Sequence, residues 1–117
     1  MTDFTVGQLL RIFVAEGATR HGRPLHAAIV EFLRHEGVAG ASVFRGIEGF
    51  GSDHQIHAAK MFGSARDLPI LIEVVDVEEK IAAIIPRIDE MVSEGAMTLE
   101  RVEFRRFLPR QKSPTRT

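Results

Sequence analysis

With 117 residues, 44% of them hydrophobic and 26% charged, the chain has the balance of one ordinary globular domain and enough apolar material for a core. A formal net charge of −1 gives no overall field for nucleic acid or an anionic membrane, and eight Phe without Tyr or Trp leave no basic–aromatic stripe for RNA. The lack of cysteine excludes disulfides, thiolate catalysis and cysteine-bound metal. The start Met1-Thr2-Asp3-Phe4 has no signal-peptide pattern, and no apolar run has membrane-spanning length, so the expectation is a cytoplasmic protein without membrane insertion.

Residues 9–15, rich in aliphatic and β-branched side chains and stopped by Glu16-Gly17, predict a first strand. A polar loop follows over 17–23; its Arg20, His21 and Arg23 fit a turn, or a flap over a ligand. Pro24 suits the first turn of a helix that carries Leu25, Ile29, Phe32 and Leu33 at helical spacing and stops at Gly37. Residues 41–47 predict a second strand, with Ser42, Phe44 and Gly46 on one face and Val43, Arg45 and Ile47 on the other. The segment 48–67 is long for a loop inside a domain, and 54–62 within it predict a helical turn or two. Pro69 and the apolar run 70–75 predict a central strand. Asp76 as N-cap with Glu79 three residues on predicts a capped second helix. Its stripe is Val77, Ile81, Ile84, Ile85, Ile88, Met91 and Val92; Pro86 inside it predicts a kink or break near 82–85. After Gly95, residues 97–107 predict a last strand with Val102 and Phe104 on one face.

The order βαββαβ predicts an α+β, ferredoxin-like fold: a four-stranded antiparallel sheet with two helices on one face. The other face needs a cover, which a chain this short finds in another copy of itself. The domain is expected to span residues 1–107, and 108–117 to form a basic, flexible C-terminal tail.

The stretch Arg45-Gly46-Ile47-Glu48-Gly49-Phe50-Gly51 ends the second strand with a cation and three spaced glycines. With Lys60 further along the loop, such a root offers guanidinium, ammonium and backbone amides to a phosphate; the competing explanation is a bulge or a mobile hairpin with solvated charges. His54 and His57 beside Asp53 have a spacing that fits a divalent metal, against the simpler state of exposed histidines. Glu73 in an apolar strand needs a partner, with Arg11 and Arg45 as candidates. No nucleophile–base–orienter set, Walker loop or dinucleotide fingerprint is present, so no enzyme and no required cofactor are expected.

Three groups of residues carry a family resemblance. They are Leu9-Leu10-Arg11-Ile12-Phe13 with Glu16 and Gly22-x-Pro24-Leu25; Gly37-Val38-Ala39-Gly40-Ala41-Ser42-Val43-x-Arg45-Gly46-Ile47-x-Gly49-Phe50-Gly51; and Asp67-Leu68-Pro69 running into Glu73-Val74-Val75-Asp76. Together, over residues 6–107, they resemble an uncharacterised PII-like family related to nitrogen-regulatory PII signalling proteins. The resemblance implies a PII-like trimer with an adenine nucleotide in the clefts between subunits, and a loop, here 48–67, that docks on a partner protein. The matching root residues are Arg45, Gly46, Gly49, Phe50 and Gly51. In Val75-Asp76-Val77-Glu78-Glu79-Lys80, Lys80 is the one cation among three acids, so AMP, ADP or another small anion fits better than ATP. Two alternatives remain: a divalent-metal module through His54, His57 and Asp53, or a structural interaction subunit without a ligand, serving for instance a membrane transporter.

Overall fold

The computed structural model of the protein describes residues 3–58 and 68–109. Strand β1 (Thr5–Ala15) alternates: Leu10, Ile12 and Val14 are buried on one face, and Leu9, Arg11 and Phe13 are half-buried on the other. It begins ahead of the expected residue 9 because Thr5 to Gln8 also find ladder partners. The polar segment after it is a small hairpin of β2 (Thr19–Arg20) and β3 (Arg23–Pro24). Its two central residues, His21 and Gly22, have φ of 52° and 78°, the left-handed pair that a two-residue turn needs. Helix α1 (Leu25–His35) buries Leu25, Ile29 and Leu33, and Gly37 stops it with φ of 76°.

The chain continues through β4 (Ala41–Arg45), β5 (Glu48–Gly49), β6 (His57–Ala58), β7 (Pro69–Asp76), α2 (Glu78–Met91) and β8 (Ala96–Phe104). The main sheet has the order β4-β7-β1-β8 with every pair antiparallel. Both helices pack on one face, which makes the expected ferredoxin-like βαββαβ fold. The core joins Leu10, Ile12, Val14, Ile70, Ile72 and Val74 of the sheet to Leu25, Ile29, Leu33, Ile81, Ile84, Ile88 and Met91 of the helices. Each such side chain contributes roughly 1.5–3 kcal/mol by leaving water. No helix among the described residues is long and apolar enough to cross a membrane.

Several local expectations are corrected. β4 ends at Arg45, not Ile47, and β8 at Phe104, not residue 107. Helix α2 runs unbroken through Pro86, because burial of Ile81, Ile84 and Ile88 outweighs one missing backbone hydrogen bond. Asp76 is not its N-cap and no capping box forms: Val77 holds the cap position without a side-chain bond. Asp76 still belongs to the β1–β7 ladder, and its Oδ2 accepts from the backbone N–H of Ala39 at 2.8 Å. His54 to Ala58 are not helical. His57–Ala58 pair instead with Glu48–Gly49, and 59–62 lie outside the described residues.

The open face of the sheet has an ionic centre. The Arg11 Nε donates to Glu73 Oε2 at 2.9 Å, and its Nη1 donates to Glu100. Glu73 therefore finds Arg11 and not Arg45. These two carboxylates, Glu73 first, push the Arg11 guanidinium pKa further above its ordinary value. Around them lie Leu9, Phe13, Leu71 and Val75, all half-buried, and Phe44, which is 49% exposed.

Candidate functional site

The ends of β1 and β4 and the start of β7 meet at one corner of the sheet. The backbone N–H of Glu16 donates to Leu68 O at 2.8 Å, and that of Gly46 donates to Pro69 O at 2.7 Å. Arg45, the last residue of β4, donates through Nη2 to Glu16 Oε2. The Glu16 side chain is only 17% exposed, whereas that of Arg45 is 63% exposed. The other carboxylate oxygen, Glu16 Oε1, is buried with no hydrogen-bond donor.

The glycines of the root have a packing reason. A Cβ at Gly46 would stand 2.5 Å from Pro69 Cγ, and one at Gly49 would stand 3.2 Å from the same atom. Their lack of side chains lets the arm fold over the proline ring. Gly51 is different, since nothing lies within 4 Å of its missing Cβ. Phe50 is 64% exposed, and its ring lies 6.0 Å from that of His54.

The remaining expected site residues are scattered. Lys60 lies outside the described residues. Lys80 sits in the first turn of α2, where its Nζ donates to Glu36 O at 3.0 Å, at the C-terminus of α1. That is the end of the sheet where β4 begins, opposite Arg45, so one chain does not bring Arg45 and Lys80 together. Asp53 and His57 do meet: Oδ2 and Nε2 are 3.2 Å apart, while Oδ1 accepts from the Gln55 backbone N–H at 3.0 Å. The Gln55 N–H first, then His57, hold the Asp53 carboxyl below its ordinary pKa. His54 turns to Phe50 with φ of 57°. Among the described residues no group of three or more His, Asp or Glu is arranged to hold a metal ion. Ser52, between these groups, donates to Glu94 Oε2 at 2.6 Å.

A second feature was not singled out from the sequence. A shallow groove of ≈ 450 Å³ crosses the far end of the open face, lined by residues 39–42, Glu73, Val75, Phe104, Arg105 and Arg106. The Phe104 ring reaches over Gly7, 2.6 Å from where a Cβ would stand. Arg105 lies 3.7 Å from Asp3 and 5.5 Å above the Phe107 ring. The available signal was the basic pair Arg105-Arg106, which the sequence pattern places inside the expected last strand 97–107 and the structure places just after β8.

Sequence relatives and solved folds place this geometry in context. A UPF0166 protein of Aquifex aeolicus is 38% identical over 96 residues, covering 82% of this chain and 90% of that protein. A UPF0166 protein of Methanocaldococcus jannaschii is 30% identical over 92 residues, covering 79% and 84%. The fold is shared with CPII, a nitrogen regulatory PII-like protein from Thiomonas intermedia K12, at a TM-score of 0.67 and 20% identity over 88% of this chain and 92% of that one. That structure of CPII is bound to ADP, AMP and bicarbonate. The family model DUF190, described as uncharacterized ACR, matches residues 7–104, and the chain belongs to the DUF190 family.

Proposed function

We propose that the protein is a non-enzymatic PII-like regulator of the cytoplasm. Three copies would join their open sheet faces and bind an adenine nucleotide, AMP or ADP rather than ATP, or a similar small anion between subunits. The arm 48–67 would then contact a partner protein. The observation that carries this reading is the fold shared with CPII, whose structure holds ADP, AMP and bicarbonate. The open face supports it, because half-buried Leu9, Phe13, Leu71 and Val75 around the Arg11 centre resemble an interface more than a solvated surface. A cleft between copies also lets opposite sheet ends meet. The root residues Arg45, Gly46, Gly49, Phe50 and Gly51, with Lys60, would come from one copy. Lys80 and the Arg105–Arg106 groove would come from its neighbour.

Light scattering coupled to size exclusion, followed by calorimetry with AMP, ADP and ATP, tests the proposal. The expected result is the mass of three chains and saturable heat with AMP or ADP. A single-chain mass at high concentration, or no heat and no thermal shift with any nucleotide at about millimolar concentration, overturns it.

A further inference from the structure

We propose that Glu16 is an internal stand-in for the ligand. It holds Arg45 while the site is empty, so capture of an oxyanion by Arg45 and release of the arm from the body are one exchange. The ligand half rests on the regulatory reading above; the clasp itself does not.

Burial makes the pair asymmetric. The Glu16 carboxylate is tucked into the corner between β1, β4 and β7, with Oε2 on Arg45 and Oε1 buried without a donor. A carboxylate in such a place is costly unless its charge is compensated, and Arg45 supplies the compensation. Arg45 has no such need, because most of its side chain is exposed. A free carboxylate or phosphate can engage the guanidinium in two-point contact, which the single Oε2 bond does not provide. Once Arg45 is shared or taken, the buried Glu16 charge stands beside an incoming charge of the same sign, and the corner is destabilised.

The arm depends on that corner. Gly46 and Gly49 rest on Pro69, and the Gly46 N–H donates to Pro69 O, so the first turn of the arm starts at the residue directly after the clasped Arg45. Further along, Ser52 is held by Glu94, a second carboxylate of the body. The β5–β6 ladder ties the arm only to itself, and an element held to the body by two side-chain clasps and one backbone bond opens before the sheet does. The ligand therefore acts by differential affinity, binding the unclasped state better than the clasped one.

Hydrogen–deuterium exchange on the full chain reads the clasp without any ligand. Glu16→Gln keeps the side-chain shape and removes its charge, and Arg45→Gln removes the other half. Both are expected to speed exchange of the amides of residues 46–54 by about fivefold or more, while β1 and β7 stay protected as in the wild type. Unchanged exchange over 46–54 in the variants overturns the clasp. Should Glu16→Gln fail to fold, Arg45→Gln alone decides, since its side chain is largely exposed. Calorimetry with AMP and ADP tests the exchange: Glu16→Gln should bind about fivefold more tightly than the wild type, and Arg45→Gln more weakly. Wild-type affinity in Glu16→Gln overturns the exchange. Absence of heat in every protein overturns the regulatory reading, and the amide rates still decide the clasp.

Discussion

Gly46 and Pro69 are in contact twice over. The Gly46 N–H donates to Pro69 O at 2.7 Å, and a Cβ on Gly46 would stand 2.5 Å from the proline Cγ. The three glycines of the root should therefore differ in what they tolerate. Gly46→Ala is expected to cost about 1–3 kcal/mol through overpacking and loss of the backbone bond, Gly49→Ala less, and Gly51→Ala close to nothing. Urea denaturation of the three variants checks the ranking. Equal stability of all three would mean that Pro69 yields freely.

Gly95 is the strictest position. Its φ is 149°, and a Cβ there would run into the carbonyl oxygen of Phe13. Gly95→Ala should lose about 3 kcal/mol or more, from backbone strain and a clash with the central strand. Thermal melts compared with Gly40→Ala, which meets nothing within 4 Å, give the contrast. A wild-type melt for Gly95→Ala would show that the turn between α2 and β8 relaxes.

The pH dependence of the arm follows from Asp53. Its carboxyl is held below the ordinary value, mainly by the Gln55 N–H and then by His57. A depressed folded-state value means a contribution present above the unfolded pKa and lost as pH falls through the folded one. The Asp53 transition seen at the Gln55 amide resonance should thus fall at acid pH, below the ordinary carboxylate range. In His57→Ala the midpoint should rise. An Asp53 transition at or above the ordinary carboxylate range would contradict the assigned contacts.

Arg11 behaves in the opposite sense. Its guanidinium pKa is raised by Glu73 and Glu100, so its contribution is complete below the unfolded value and is lost only at extreme alkaline pH. Charge removal by Arg11→Gln, not pH, is the informative change. It leaves two carboxylates facing each other across β1, so the melting temperature should fall, and added salt should recover part of the loss. A melt that is unchanged at low salt would show that the ionic centre is energetically silent.

Lys80 has a structural task in the isolated chain. Its Nζ donates to Glu36 O at the C-terminus of α1, where a cation suits the helix dipole. Lys80→Ala should cost about 0.3–1 kcal/mol in urea denaturation without ligand. If Lys80 also faces the proposed cleft, nucleotide heat falls in the same variant; stability loss alone would confine it to the cap.

The elements were legible because each carried its own periodicity. Leu10, Ile12 and Val14 alternate with half-buried neighbours, and Ile81, Ile84 and Ile88 recur at helical spacing, so strand and helix followed from burial alone. The misreadings fall where one residue has two chemically sound uses. Asp76 could cap α2 or bond Ala39; it stays in the ladder opposite Gln8, with Oδ2 on the Ala39 N–H and Oδ1 on the Val77 N–H, and Val77 takes the cap position. Pro86 could break a helix, but three buried isoleucines outweigh one missing bond. The candidate site was only half visible. Arg45 and its glycines stood out as a motif, yet Glu16 gave no local sign of its role. Its partner is 29 positions away, and only the meeting of β1, β4 and β7 at one corner brings the two together.

β4 and β7 are hydrogen-bonded neighbours at the edge of the sheet, and the arm leaves one and returns to the other. Its ends are tied by the ladder itself, so lengthening it disturbs no register, and each doubling of its length costs only about 0.6 kcal/mol in closure entropy. The segment can therefore change in size and chemistry while the domain beneath keeps its stability.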